Sequence, residues 1–159
     1  HMTLRNIKNS DNKELAALLR SVLVEMGVPK TGTAYEDPEL DQMFETYQVA
    51  KSAYFIIEEG GELLGGAGIA PLREGPLEIC ELQKMYFAPQ ARGRKWGDQM
   101  IEHCLFYAQT QGFKRCYIET MPYMKAAQKL YQKKGFEYIE GPMGSTGHTS
   151  CSVWMIKTL

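Results

Sequence analysis

The stretch Pro89–Met100, "PQARGRKWGDQM", decides the fold. It sets Arg92, Arg94 and Lys95 among Gly93 and Gly97 where a helix should open, in a chain whose formal net charge is only −1. Basic residues at a helix N-terminus oppose the helix dipole and are unfavourable by a few tenths to ~1 kcal/mol. Three of them make physical sense where an anion offsets them. The first-turn N–H groups of a helix lack an internal acceptor and point at an anion on the axis. Glycines let the backbone curl into a concave nest of such donors. The stretch therefore reads as a phosphate cradle. It is neither a P-loop, since G-x-x-x-x-G-K-[ST] is absent, nor a Rossmann turn, since G-x-G-x-x-G is absent.

Working outward, the preceding chain has the period of strands. "AYFIIEE" (53–59), "ELLGGAGIAPL" (62–72) and "LEICELQKMYF" (77–87) are three of them, and Glu59-Gly60-Gly61-Glu62 turns the first into the second. The run Gly65-Gly66-Ala67-Gly68 is awkward inside a strand and predicts a bulge or a close approach of other chain. Further upstream, Leu15, Leu18, Leu19, Val22, Leu23 and Met26 share one helical face, capped by Ser10 or Asp11 and stopped by Gly27 and Pro29. A second helix is expected over 39–49, with Leu40, Met43, Phe44 and Tyr47 on one face. A short strand over 3–7 opens the chain.

Downstream, a long helix runs from the cradle to about Gln111, burying Met100, Ile101, Cys104, Leu105 and Ala108 and ending at Gly112. "KRCYIET" (114–120) is a strand, and "YMKAAQKLYQKK" (123–134) is a helix with Ala127, Leu130 and Tyr131 inward. "FEYIE" (136–140) and "CSVWMIKTL" (151–159) are closing strands, with a long loop between them. The order β-α-α-β-β-β-α-β-α-β-β describes a single α/β domain over residues 3–159, built around a mixed sheet.

Composition narrows the function. With 159 residues and 44% hydrophobic content, the chain can form one ordinary core. The near-zero net charge argues against a general nucleic-acid binder. No apolar run reaches the roughly 18–20 residues of a membrane span, and no charged-then-apolar leader is visible, so a cytoplasmic protein is expected. Cys80, Cys104, Cys116 and Cys151 are widely spaced without a C-x-x-C pair, so neither a zinc site nor a disulfide framework is expected.

The segment "ELQKMYFAPQARGRKWGDQMIEHCLFYAQTQGFKRCYIET", followed by "AAQKLYQKKGF", resembles the GNAT family, the GCN5-related N-acetyltransferases. That family's pyrophosphate loop reads [RQ]-x-x-G-x-[GA], and "LYxKxGF" follows it at this distance. The resemblance implies the GNAT fold: a mixed, mostly antiparallel sheet of about six to seven strands flanked by about four helices, splayed between the fourth and fifth strands. It implies acetyl-CoA as co-substrate, a primary amine as acceptor, and direct attack in a ternary complex.

Carried over residue by residue, the resemblance places Arg92, Gly93, Arg94, Lys95, Trp96, Gly97 and Asp98 on the pyrophosphate. It places Met85, Tyr86 and Phe87 along the pantetheine arm, and Tyr131 as general acid to the CoA thiolate. Two positions depart from the pattern. Lys95 stands where the family usually has Gly, and can serve there only if the backbone avoids positive φ. "ETMPYMKAAQ" lacks the Asn that many members place against pantetheine, so no residue is assigned to that contact.

Glu81 is the candidate general base. A carboxylate inside a central strand is costly unless paired, and strand alternation puts it on one face with Gln83, Met85 and Phe87. An ion pair with Lys84 or an Arg is the competing structural role. His148 and Cys151 could form a nucleophile pair or be structural, and His148 could line the acceptor pocket. Tyr35, Glu36, Phe44 and Tyr47 could cover that pocket. No metal is expected. A small amine acceptor is favoured over a protein amine, with a non-catalytic acyl-CoA-binding domain as the alternative. Open sheet edges are compatible with a homodimer.

Overall fold

Alternation along "AYFIIEE" sets the layers. In a computed structural model describing residues 2–159, this segment is strand β2 (Ala53–Glu59). Tyr54 and Ile56 point to one side of the sheet and Phe55 and Ile57 to the other, all buried. On the first side they meet Leu15, Leu19 and Leu23 of α1 (Asn12–Glu25) and Met43 of α2 (Met43–Thr46). On the second side they meet Met100, Ile101, Cys104, Leu105 and Ala108 of α3 (Trp96–Thr110), the stripe expected from sequence. The sheet is thus sandwiched between two helical layers.

Seven strands form that sheet. Besides β2 they are β1 (Met2–Asn6), β3 (Glu62–Pro71), β4 (Ile79–Phe87), β5 (Arg115–Thr120), β6 (Glu137–Ile139) and β7 (Val153–Thr158), in the order β1-β2-β3-β4-β5-β7-β6. Helix α4 (Lys125–Lys133) links β5 to β6. All pairs are antiparallel except β4–β5. The last strand enters between β5 and β6, a placement that element order alone does not reveal. No helix among the described residues is long and apolar enough to cross a membrane.

The expected second helix is corrected. In place of one helix over 39–49, the chain forms a 3-10 turn, Pro38–Gln42, and the single turn of α2, and 47–49 are not helical. Leu40 and Met43 are three apart, a spacing that a 3-10 helix satisfies as well as an α-helix does. In α4, Gln128 and Tyr131 are the buried residues, while Ala127 and Leu130 are only partly covered.

Two irregularities shape the centre of the sheet. The first is the glycine run of β3. A Cβ on Gly66 would lie 2.7 Å from the Phe55 carbonyl oxygen and 2.8 Å from the Tyr54 hydroxyl, so only glycine lets the neighbours approach this closely. The second is a bulge. Gly66 pairs with Tyr86 while Gly68 pairs with Gln83, leaving an extra residue on β4 at Lys84, whose φ is +50°. The Tyr54 hydroxyl donates to the Lys84 carbonyl at 2.8 Å and holds the bulge. This corrects the expected shared face of Glu81, Gln83, Met85 and Phe87. The inserted residue reverses the phase, so Met85 and Phe87 pack with Leu82 toward α3, while Tyr86 packs on the α1 side.

Strands β4 and β5 then part. Their pairing covers only Ile79–Arg115, Cys80–Cys116 and Glu81–Tyr117. Beyond Glu81, both strands continue without each other, which is the splay expected between the fourth and fifth strands.

Candidate active site

Glu81 sits at the fork, the last β4 residue paired to β5. Its residue exposure is 5%, and its Oε1 accepts from Gln83 Nε2 at 2.8 Å. Gln83 Oε1 in turn accepts from the Tyr47 hydroxyl at 2.6 Å. Burial, the dominant cause, pushes the Glu81 carboxyl up to about 7. The Gln83 hydrogen bond opposes that shift, the Glu119 charge adds to it, and His148 and Lys84 oppose it. The competing structural role, an ion pair of Glu81 with Lys84 or an arginine, is not formed among the described residues; Lys84 Nζ lies 3.6 Å from Asp37 instead.

Glu81 opens into a cavity of about 90 Å³ on the α1 side of the fork. Glu119, Lys84, His148, Cys151 and Tyr131 also line it. Glu119 was not singled out in the sequence reading. It is a charged residue inside a buried strand, the same signal that marks Glu81. Its Oε2 accepts from the Tyr117 hydroxyl and its Oε1 from Thr146 Oγ1, both at 2.5 Å. His148 Nε2 lies 2.7 Å from Asp37 Oδ2, and its Nδ1 lies 4.0 Å from Glu119 Oε1. Burial disfavours the imidazolium, but Asp37 outweighs it and the net shift of His148 is upward. Burial pushes the Cys151 thiol up to about 12, so Cys151 is not an activated nucleophile. Glu119, His148 and Cys151 lie within 4.8 Å of one another and are the one group among the described residues that could offer three metal donors.

Two loops close over this cavity. Ser150 N donates to the Gly32 carbonyl at 2.9 Å and Ser150 Oγ to the Thr31 carbonyl at 3.0 Å. With the His148–Asp37 contact they clasp the 141–152 loop to the segment after α1. Thr33 and Ala34 of that segment line the cavity; Tyr35, Glu36, Phe44 and Tyr47 do not, although Tyr47 reaches it through Gln83.

A second cleft, about 410 Å³, opens on the other side of Tyr131. Met85, Tyr86, Phe87, Arg92, Gly93, Lys95, Trp96, Gly97 and Asp98 line it. Arg94 does not, because its guanidinium turns to Glu59 at 3.2 Å. Arg92 is also committed, with Nη1 and Nη2 2.7 and 2.8 Å from the Glu25 carboxylate. Asp98 pairs with Lys133 at 2.9 Å and Lys134 at 3.1 Å.

What remains free in the turn is backbone. The Arg92 N–H donates to Pro89 and the Gln99 N–H to Lys95; no N–H from Gly93 to Asp98 makes a well-formed hydrogen bond to a described residue. Gly93 at φ +74° and Lys95 at φ +63° alternate the backbone into a concave turn. Lys95 thus takes the positive φ that was expected to disqualify it, and that condition is corrected: left-handed residues within such a turn are what make it concave, at a cost in strain. A non-glycine residue in the left-handed region costs roughly 1–2 kcal/mol. Lys95→Gly is accordingly expected to raise stability by about 1 kcal/mol, read as a higher urea midpoint at unchanged slope.

Tyr131 is buried against Phe136, ring centroids 6.0 Å apart, and is the tyrosine that lines both cavities along with Tyr86. Burial alone raises its phenol, which stays protonated at any working pH.

The sheet is forked, with a concave turn of free N–H groups at one end and a buried carboxylate at the other. The acetyltransferase (GNAT) family pattern matches residues 19–136. The chain belongs to the GNAT acetyltransferase family. The uncharacterized N-acetyltransferase YjgM of Escherichia coli K12 is 40% identical over 98% of this chain and 94% of its own. Among solved structures, a GNAT-family acetyltransferase from Staphylococcus aureus Mu50 superposes with a TM-score of 0.89 at 17% identity, covering 100% of this chain and 99% of that one. The PaiA N-acetyltransferase of Thermoplasma acidophilum, solved in complex with coenzyme A, gives 0.74 at 13% identity over 100% and 99% of the two chains. These two likenesses bear on the fold, and the fold of this acetyltransferase is theirs.

Proposed function

We propose that the protein transfers the acetyl group of acetyl-CoA to a primary amine of a small molecule, by direct attack in a ternary complex. The observation that carries this reading is the pair of cavities meeting at Tyr131. The larger has the free N–H groups of Gly93–Asp98 at its mouth, and the smaller has Glu81 inside. The pyrophosphate would sit on those N–H groups at the N-terminus of α3, where the helix dipole favours an anion. Because Arg92 and Arg94 hold Glu25 and Glu59, the cradle is mainly backbone, with Lys95 adding charge. The pantetheine arm would run along the free edge of Met85–Phe87, hydrogen bonding as an added strand. That brings the thioester to the fork.

Chemistry at the fork then needs three proton movements. Glu81, ionised above about pH 7, takes a proton from the acceptor ammonium directly or through water. The free amine attacks the thioester carbonyl, the C–N bond forms, and the C–S bond breaks. The Tyr131 phenol donates to the departing thiolate, and the second nitrogen proton, lost as the amide forms, returns through water to the Tyr131 phenolate. The rest of the rate comes from holding amine and thioester in line.

The loop clasp and the small enclosed volume favour a small acceptor over an extended peptide, which needs an open groove. The test is release of CoA thiol from acetyl-CoA across a panel of small amines and peptides, with thermal shift alongside. Acetyl-CoA at about 100 times its Kd should stabilise the fold by ~2.7 kcal/mol. Turnover with small amines and not with peptides is expected. Stabilisation without turnover on any amine would instead identify a non-catalytic acyl-CoA-binding domain.

A further inference from the structure

Lys84 has a largely covered stem and an ammonium that reaches the cavity without a hydrogen-bonded partner. Its side chain is 6% exposed, and it lines the smaller cavity with Glu81. Its ammonium has three donors. Its carboxylate partner is Asp37 Oδ2 at 3.6 Å, beyond hydrogen-bond reach. That same oxygen already holds His148 Nε2 at 2.7 Å. An ammonium held at the wall of a small cavity by a covered stem, open to that cavity and not hydrogen bonded to the protein, marks a place for an anion.

The backbone places it there deliberately. Lys84 is the extra residue of the β4 bulge, held at φ +50° by the hydrogen bond from Tyr54 to its carbonyl. A regular strand would have pointed position 84 to the α3 side, away from Glu81. The bulge keeps the base and the cation in one cavity. The CoA phosphates do not explain the cation, because Lys84 does not line the cleft beside Arg92–Asp98.

Resting on the acetyltransferase reading above, we propose that the acceptor is an amino acid-like molecule, with its amine at Glu81 and a carboxylate held by Lys84. His148, paired to Asp37 on the adjacent wall, lies on the same side and completes the polar frame. Glu119, 4.0 Å from His148 Nδ1 in the same cavity, adds a negative charge that disfavours a second anionic group.

Two measurements test this. The first compares kcat/KM for a panel of free α- and ω-amino acids with that for their primary amides and for the amines lacking the carboxyl group. The free acids should be better acceptors by at least about tenfold, the effect of one charge-assisted hydrogen bond. Lys84→Met, which keeps the stem and the backbone strain, should erase that preference, and Lys84→Arg should restore part of it. The second measures binding of N-acetyl amino acids against N-acetyl amino acid amides in the presence of CoA by calorimetry, which needs no turnover. Acids should bind about tenfold tighter to the wild type and equally to Lys84→Met. Equal rates and equal binding for acids and amides in the wild type overturn the proposal while acetyl transfer stands. If no amine releases CoA, the acetyl-transfer reading falls and the binding ratio alone decides whether Lys84 holds an anion.

Discussion

Glu81→Gln is expected to lower kcat/KM for the amine by about 10²- to 10⁴-fold, the range of a lost general base, with acetyl-CoA affinity nearly unchanged. The affinity should hold because Glu81 lines the smaller cavity and not the cleft beside Gly93–Asp98. The same substitution should make the fold more stable. In the unfolded chain Glu81 titrates near 4.5, and in the folded protein at about 7. Between those values the native state binds more protons than the unfolded one, so stability falls as pH rises through that window. One pKa unit is worth about 1.4 kcal/mol, so the loss by slightly alkaline pH is on the order of 3 kcal/mol. Gln carries no charge to desolvate and its amide can still meet Gln83. Denaturant unfolding at pH 5 and pH 8 should show a pH-dependent loss in the wild type that shrinks in the variant. A variant that is both inactive and less stable at alkaline pH would point to a structural Glu81.

Tyr131→Phe should lower kcat by about 10²-fold, the lower range of acid catalysis, and leave KM for acetyl-CoA within a few-fold. Removing the hydroxyl should orphan little, since burial alone accounts for the upward shift of the phenol. The ring keeps its packing on Phe136, so unfolding midpoints should barely move. Acceptors attacking acetyl thioesters with better leaving thiols should be less affected by the substitution, because their thiolates need less protonation. Undiminished kcat at every pH would remove Tyr131 from the mechanism.

How much of this was legible in the sequence follows from which interactions are local. The strands and the long helix of the sheet were readable because burial imposes periods of 2 and 3.6 on the residues themselves. The turn Gly93–Asp98 was readable because glycines and cations at a helix start have few other uses. Glu81 was readable as a charge where a strand should be apolar. What escaped depends on partners far along the chain. Arg92 and Arg94 looked like phosphate ligands, but Glu25 and Glu59 lie 67 and 35 residues away in sequence and claim them. The bulge at Lys84 is written in the glycine run of the neighbouring strand, and it reverses which side Met85 and Phe87 face. Glu119 carried the same mid-strand signal as Glu81, and its weight becomes clear only when the fork sets the two carboxylates in one cavity. The clasp between Gly32 and Ser150 spans most of the chain and left no local trace.

Acetyl transfer as proposed depends on Glu81 being the base that frees the amine at the fork of β4 and β5. The most direct test is the pH dependence of kcat/KM for CoA release, wild type against Glu81→Gln, from about pH 5.5 to about pH 9. The wild type should rise with unit slope to a plateau, with one apparent ionisation near the value of about 7 that burial gives Glu81. No descending limb from Tyr131 should appear in that range, and the variant should lose the inflection along with most of the rate. An unchanged inflection in Glu81→Gln, at wild-type rates, would contradict the account.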